Sequence, residues 1–159
     1  MGEADRAYEK ALCYLEKRDR TESEVSRKLI ALGFSEDTIA GVVERLRGAG
    51  LVDDADYADR YLQALAAKGR GRLRIASEMR RKGLPDELVR NALEDGIDSI
   101  DERARALEAA RKAWAGIPEE TDARKAKAKV NRRLVSLGFS YSVIGDVIGE
   151  VCKPEEEEL

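Results

Sequence analysis

The chain has 159 residues, of which 43% are apolar and 38% are charged, with a net charge of −3. This length allows one compact domain or one short array, and the apolar fraction is sufficient for a core. Because the chain contains no histidine, His-based acid–base catalysis and His metal ligands are excluded. No apolar run approaches the ~18 residues of a membrane span and no signal sequence is visible, so we expect a cytoplasmic protein.

Few residues in this chain suggest a catalytic, metal-binding or cofactor-binding site. The two cysteines, Cys13 and Cys152, lack metal-binding or redox spacing, and we expect both to be reduced, partly buried thiols. The aspartates of residues 53–56 lack the glycine and distal glutamate of a calcium loop, so helix capping explains them better. The run 69–71, Gly-Arg-Gly, lacks phosphate-loop spacing. We therefore expect no catalytic residue, no metal and no cofactor, and hence a protein that is not an enzyme.

The first predicted unit covers residues 5–50 and contains three helices. The apolar stripe of its first helix follows the spacing i, i+3, i+4, i+7 and comprises Tyr8, Ala11, Leu12 and Leu15. Thr21 and Glu24 form a predicted capping box at the start of the second helix. Gly33 is predicted to end that helix in the left-handed conformation, and Ser35 to cap the third helix.

The second predicted unit covers residues 51–96 and repeats this plan. Asp53 is a predicted N-cap, and Gly83 is predicted to end the second helix. Pro85 stands at the position of Ser35 and suits the first position of a helix. The stripe of the first helix recurs 50 residues further along, as Ala58, Tyr61, Leu62 and Leu65.

The third predicted unit covers residues 97–152 and begins near Asp98. Trp114 lies on its first helix, at a spacing that indicates packing rather than base stacking. Gly138 ends the second helix and Ser140 caps the last one. Residues 153–159 form an acidic tail, which we expect to be disordered and to which we assign no role.

A motif with fixed internal spacing connects the three units. An apolar residue is followed four positions later by glycine and then by a large apolar residue, as Leu29-x-x-x-Gly33-Phe34, Met79-x-x-x-Gly83-Leu84 and Leu134-x-x-x-Gly138-Phe139. The copies start 50 and 55 residues apart, a period typical of repeat proteins. The sequence therefore predicts an all-α fold, an elongated tandem array of three three-helix, helix-turn-helix-like repeats.

Charge breaks this symmetry. Residues 68–82 carry seven basic residues and one acidic residue, and residues 124–133 carry six basic residues and no acidic one. Aligned on the glycines, Ile30 and Val135 correspond to Arg80, so the middle repeat has a basic second helix that must face water or an anionic partner. The predicted partner-binding residues are Lys68, Arg70, Arg72, Arg74, Arg80, Arg81, Lys82, Arg124, Lys125, Lys127, Lys129, Arg132 and Arg133.

The chain resembles the RecX regulators of bacterial recombinase over about residues 6–150. Four stretches carry this resemblance: Ala11-Leu12-x-x-Leu15-x-x-Arg18-Asp19-Arg20-Thr21-x-x-Glu24, Gly50-Leu51-Val52-Asp53-Asp54-x-x-Tyr57-Ala58, Lys68-Gly69-Arg70-Gly71-Arg72 through Lys82-Gly83-Leu84, and Arg132-Arg133-Leu134-x-x-x-Gly138-Phe139-Ser140. The combination of these motifs is specific, although each motif alone is mostly a helix boundary signal.

The resemblance implies a monomeric, non-enzymatic negative regulator of the RecA recombinase. Such a protein would bind the RecA–DNA filament, block its extension or promote its disassembly, and so reduce ATP hydrolysis, strand exchange and co-protease activity. The implied partners are the filament and single- or double-stranded DNA, with no membrane. The residues by themselves leave two alternatives open: a direct DNA-binding helix-turn-helix protein, and a helical adaptor without DNA contact.

Overall fold

The computed structural model describes residues 2–96 and 99–152, with the backbone alone for Ser99 and Ile100. These residues form nine α-helices and no strand, which confirms the predicted all-α fold. The helices are α1 Glu3–Lys17, α2 Glu22–Ala31, α3 Glu36–Gly48, α4 Asp54–Ala67, α5 Arg72–Arg81, α6 Asp86–Gly96, α7 Ser99–Ala115, α8 Ala123–Leu137 and α9 Tyr141–Val151. The predicted start near Asp98 and the acidic tail lie outside the described residues.

The helices assemble into two compact units. The first combines Met1–Tyr61 with Glu78–Ala92, and the second combines Leu62–Ser77 with Leu93–Leu159. The first unit contains α1 to α3 with parts of the middle repeat, and the second contains α7 to α9 with the remaining parts. The middle repeat therefore contributes its helices to both units.

Each unit has its own hydrophobic core. In the first unit α1, α2 and α3 all pack against one another. Their shared core consists of Ala7, Ala11, Val25, Leu29, Ile39, Val42, Val43, Leu46 and Val52. This is the core expected where the predicted apolar stripes of three helices meet.

The core of the second unit is built in the same way from α7, α8 and α9. Its buried members are Ala106, Ala110, Val130, Leu134, Leu137, Phe139, Ile144, Val147 and Ile148. Trp114 and Cys152 are partly buried against this cluster, as predicted. Cys13, by contrast, is exposed, so the prediction of a partly buried thiol is wrong there, because that position of α1 faces away from the core.

The predicted helix boundaries are confirmed at most positions. Thr21 and Glu24 form the capping box of α2, and the Ser35 hydroxyl accepts the Thr38 amide at 3.4 Å. Two positions differ. Pro85, expected at the first position of a helix, lies just before α6, which begins at Asp86. Ser140 occupies the N-cap of α9, but its hydroxyl makes no capping hydrogen bond.

The turn after the second helix of each repeat has the same conformation. Gly33, Gly83 and Gly138 have φ values of 88°, 82° and 87°, in the left-handed region that favours glycine. The residue that follows each glycine returns its amide to the helix, for example Phe34 to Leu29 at 3.2 Å. This shared turn is the structural meaning of the threefold sequence motif.

Repeats one and two meet within the first unit at what we call the first junction. There the start of α2 contacts the turn after α5 and the start of α4. The Thr21 hydroxyl donates to the carbonyl of Lys82 at 2.7 Å. The Glu22 amide donates to Oδ1 of Asp54 at 3.0 Å. Thr21 is fully buried and Asp54 is 9% exposed, so these bonds hold the two repeats together in a region that excludes water.

Repeats two and three meet within the second unit at what we call the second junction. Here the start of α5 contacts the turn after α8 and the start of α7. The Gly71 amide donates to the carbonyl of Leu137 at 2.8 Å. The Arg72 amide donates to Oε1 of Glu102, which is 4% exposed, at 3.2 Å. The array therefore uses the same contact twice, with different donors.

Candidate partner-binding surfaces

Three of the predicted binding cations lie in the first unit, and all three already have partners there. Arg80 pairs with Asp86 at 3.1 Å, and Arg81 pairs with Glu78 at 3.8 Å. Both arginines are exposed, and exposed pairs of this kind contribute only about 0–1 kcal/mol, so an external anion can replace these partners. Lys82 is half-buried and lies 3.9 Å from Glu24 of repeat one, so its main contribution is to the first junction.

The positions at which charge breaks the repeat symmetry are exposed in all three repeats. Ile30 is 60% exposed and Val135 is 42% exposed. The side chain of Arg80 at the equivalent position is 55% exposed. The change from an apolar to a cationic residue therefore buries no charge and alters only the outer surface of α5.

Two predicted cations of the second unit have a structural role. One guanidinium nitrogen of Arg72 donates to the carbonyl of Leu93 at 3.4 Å. One of Arg74 donates to the carbonyl of Ser136 at 3.2 Å, across the second junction. Each thereby ties the start of α5 to another segment of the second unit.

A cationic groove of about 680 Å³ opens in the second unit. It lies between residues 66–70, one face of α7 and the C-terminal half of α8. Alanines 66, 67, 109 and 113 and Leu137 contribute its apolar lining. Its charged residues are Lys68, Arg70, Arg105, Lys112 and Arg133, with a single acidic residue, Glu108. We call this the cationic groove.

Arg105 is the most unusual residue in the cationic groove. Its Nε and one terminal guanidinium nitrogen are buried and have no hydrogen-bond acceptor among the described residues. Burial lowers the pKa of Arg105 from its ordinary value, and the nearby carboxylates of Glu102 and Asp101 oppose this shift. Arg105 therefore adds a partly buried positive charge to the lining of the cationic groove, and arginine suits carboxylates and phosphates.

The predicted cations of α8 are exposed. They are Arg124, Lys125, Lys127, Lys129, Arg132 and Arg133. None of them forms an ion pair with a carboxylate of the part of the chain that the structure describes. Arg133 connects this surface to the cationic groove.

Two residues of the cationic groove, Arg105 and Lys112, are not among the predicted binding cations. Both lie in a stretch that contains more acidic than basic residues, and counting charge along the chain therefore concealed them. Their spacing of seven residues places them on one face of α7, two turns apart. Charge counted by helix face would have identified this stripe.

Other types of site find little support in the described residues. No group of three or more His, Cys, Asp or Glu residues among them could hold a metal ion. The aspartates at residues 53–56 accept backbone hydrogen bonds instead. Asp53 accepts the Asp56 amide at 3.1 Å, and Asp54 accepts the Glu22 amide at the first junction. None of the described helices has the length and apolar character needed to cross a membrane.

Comparison with known proteins identifies the three repeats. Residues 7–46 match the profile described as the first three-helix domain of RecX, residues 53–93 match the second, and residues 101–148 match the third. The chain belongs to the RecX family. The resemblance noted from the sequence motifs is thereby confirmed.

Individual RecX proteins align with nearly the whole chain. Regulatory protein RecX of Mycolicibacterium vanbaalenii is 35% identical over 93% of this chain and 84% of its own. That of Clostridium perfringens is 33% identical over 93% of this chain and 69% of its own. The crystal structure of RecX from Lactobacillus salivarius superposes with a TM-score of 0.84 at 27% identity, covering 94% of this chain and 96% of that one. RecX membership therefore indicates a regulatory role.

Proposed function

We propose that this protein is a negative regulator of the RecA recombinase that binds the RecA–DNA filament and blocks its extension or promotes its disassembly. ATP hydrolysis, strand exchange and co-protease activity of the filament fall as a result. The protein acts as a cytoplasmic monomer without a cofactor, and its repeats at residues 5–50, 51–96 and 97–152 are its binding modules. Membership of the RecX family supports the partner, and the cationic groove supports the mode of contact.

The cationic groove is the observation that supports this proposal most strongly. It combines five cations, one acidic residue and an apolar lining in a space large enough for an extended segment. Arginine presents a planar fork that matches carboxylates and phosphates, so both an acidic protein surface and a DNA backbone are suitable ligands. The described residues offer no metal cluster and the chain has no histidine, which favours binding over catalysis.

A second candidate is direct binding to the DNA backbone, favoured by the cations of α8, which form no ion pair with any described carboxylate. Contacts with phosphates displace counterions, so each one steepens the salt dependence of binding by about one unit in a double-logarithmic plot. Titration of naked DNA at two salt concentrations tests this candidate. A steep slope that Arg124→Ala and Lys127→Ala reduce supports DNA contact through α8.

The main test is the DNA-dependent ATPase activity of RecA filaments with increasing amounts of this protein. We expect inhibition well below one regulator per recombinase, because blocking a growing end affects many subunits. Undiminished hydrolysis at equimolar regulator contradicts the proposal. We expect loss of inhibition with unchanged helicity in a triple variant of the cationic groove, Lys68→Ala, Arg70→Ala and Arg133→Ala. A double variant, Arg80→Ala with Arg81→Ala, separately measures how much the exposed arginines of the first unit contribute to inhibition.

A further inference from the structure

The three equivalent glycine turns differ in what covers them. A Cβ placed on Gly83 would lie 2.2 Å from the Ser23 hydroxyl oxygen, and one placed on Gly138 would lie 2.1 Å from the Arg74 Cβ. In both cases the start of the preceding repeat's second helix lies against the turn. A Cβ on Gly33 would meet no atom of the described residues within 4 Å. None of the described residues therefore covers the turn of repeat one.

Exposure of the neighbouring side chains follows the same pattern. Leu32 is 45% exposed, whereas Leu137, the same residue type at the same position of repeat three, is 7% exposed. Phe34 is half-buried, whereas the equivalent Leu84 and Phe139 are 4% and 1% exposed. Repeat one thus presents an apolar surface whose counterparts are buried at the second junction, and at the first junction the residue after the glycine, Leu84, is buried as well.

A carboxylate lies at the same position of each repeat, and among the described residues that of repeat one accepts no amide from another repeat. Glu3, Asp54 and Glu102 occupy one position, four residues before the buried alanines Ala7, Ala58 and Ala106. Glu102 accepts the amide of Ser140 within its own repeat at 3.4 Å and also that of Arg72 from the preceding repeat. Glu3 accepts the Ser35 amide at 3.2 Å, and its side chain is exposed.

The element that covers the turn at both junctions has defined chemistry. It is the first turn of α2 or α5, whose Glu22 or Arg72 amide donates to a carboxylate. The residue just before that turn donates to a turn carbonyl, through the hydroxyl of Thr21 at the first junction and through the amide of Gly71 at the second. A carboxylate and backbone carbonyls complement the positive amino end of a helix. The surface around Leu32, Gly33 and Glu3 is therefore complementary in chemistry to a helix start.

A second copy of this chain does not supply that helix start. The residue of repeat three that corresponds to Thr21 and Gly71, twelve positions before the turn glycine, is Ala126. Because α8 begins earlier, at Ala123, the amide of Ala126 already bonds to the carbonyl of Asp122 at 2.9 Å. Position 126 of repeat three therefore lies inside a helix and not at a helix start, which favours an occupant from another protein.

We propose that the uncovered turn of repeat one, formed by Leu32, Gly33 and Phe34 with Glu3 beside it, docks the amino-terminal turn of a helix on the recombinase. This inference rests on the proposed function and adds to it a second contact, in the first unit. The contact is largely apolar and main-chain, so it is less sensitive to salt than contacts made through the cationic groove.

The Gly33→Asn variant tests the proposal. Asparagine tolerates the left-handed conformation better than other residues with a side chain, and open space surrounds this position, so the chain should fold. Its side chain would nevertheless occupy the space that the covering helix fills at Gly83 and Gly138. The matched control is Gly50→Asn, since Gly50 has φ of 72° and also has nothing within 4 Å of a Cβ.

Binding to RecA filaments assembled on single-stranded DNA should be measured for wild type and both variants, with circular dichroism as the check on folding. We expect Gly50→Asn to bind like wild type and Gly33→Asn to bind at least about tenfold more weakly. Glu3→Gln should weaken binding by a smaller factor than Gly33→Asn, whereas Glu9→Gln, an exposed change on the same helix, should not.

Each other outcome overturns the proposal in a different way. Equal filament binding by Gly33→Asn and Gly50→Asn refutes the docking site and leaves the proposed function standing. If wild type does not bind the filament at all, the proposed function fails and the recombinase is excluded as the occupant. Self-association in sedimentation that Gly33→Asn abolishes would assign the turn to a second copy instead.

Discussion

The first and second junctions have the same arrangement of hydrogen bonds between repeats but differ in one of the donor groups. In both, a buried carboxylate at the start of one repeat accepts an amide from the start of the preceding repeat's second helix. At the first junction the Thr21 hydroxyl reaches the turn carbonyl of Lys82. At the second junction the Gly71 amide reaches that of Leu137 directly.

The difference shows how a repeat contact is preserved while its residues change. At the first junction the Thr21 side chain lies between the two backbones and bonds to the turn. At the second junction Gly71 has no side chain, so the two backbones are in direct contact. A Cβ on Gly71 would lie 2.4 Å from the Phe139 amide nitrogen, so the second junction cannot accommodate the residue used at the first. Acidic residues are present in the first turn of α2, Glu22 and Glu24, but absent from that of α5, where Glu102 is the nearby carboxylate.

The largest expected loss of stability comes from truncating the side chain that follows the turn glycine. Phe139→Ala should reduce the free energy of unfolding by about 3–5 kcal/mol, because the ring is fully buried. Phe34→Ala should cost less, about 1–2 kcal/mol, because the half-buried ring of the uncovered turn already contacts water. Denaturant titration measures both values, and equal losses would contradict the distinction between covered and uncovered turns.

A slightly smaller effect is expected at the closest backbone contact. Gly71→Ala should destabilise the protein by about 1–3 kcal/mol, because the added methyl group meets backbone atoms that cannot move independently. Gly145→Ala in α9 is the matched control, since its Cβ would have open space and alanine favours a helix. Thermal unfolding measures both variants. Equal unfolding temperatures for Gly71→Ala and Gly145→Ala would contradict the close backbone contact at Gly71.

The contact at the first junction, made by the Thr21 side chain, is expected to tolerate substitution better than the backbone contact at Gly71. Thr21→Val keeps the shape of the side chain but removes the helix cap and the bond to Lys82, at a cost of about 1–2 kcal/mol. Ser35→Ala removes a cap that makes no junction contact and should cost about 0.5–1 kcal/mol. A smaller loss for Thr21→Val than for Ser35→Ala in urea titrations would show that the junction bond adds nothing.

The smallest effect concerns pH at the first junction. Burial raises the pKa of Asp54 above its ordinary value of 3.8, so the folded protein holds this proton to higher pH than the unfolded chain does. Stability contributed by the protonated form is then lost as pH rises from about 4. The free energy of unfolding of wild type should therefore fall relative to Asp54→Asn over that window, and a constant difference would contradict the buried carboxylate.

Much of the local structure was predictable because its signals lie within one short segment. The capping box of Thr21 and Glu24 and the left-handed turns at Gly33, Gly83 and Gly138 depend on a few neighbouring residues. Ser140 shows the limit of this reasoning, since it has the right residue type and position but makes no capping bond. Which way a hydroxyl turns depends on its surroundings in space.

The three-helix repeats, their period and the RecX resemblance could be predicted from the residues alone, because helix starts, turns and apolar stripes are encoded over a few residues. Which turns are covered and which cations share a surface became known only from the packing of the helices. Arg105 and Arg133 line one groove although they lie 28 positions apart in the chain. Contacts of this kind depend on how helices pack, and helix periodicity fixes the buried face of each helix without fixing its neighbour.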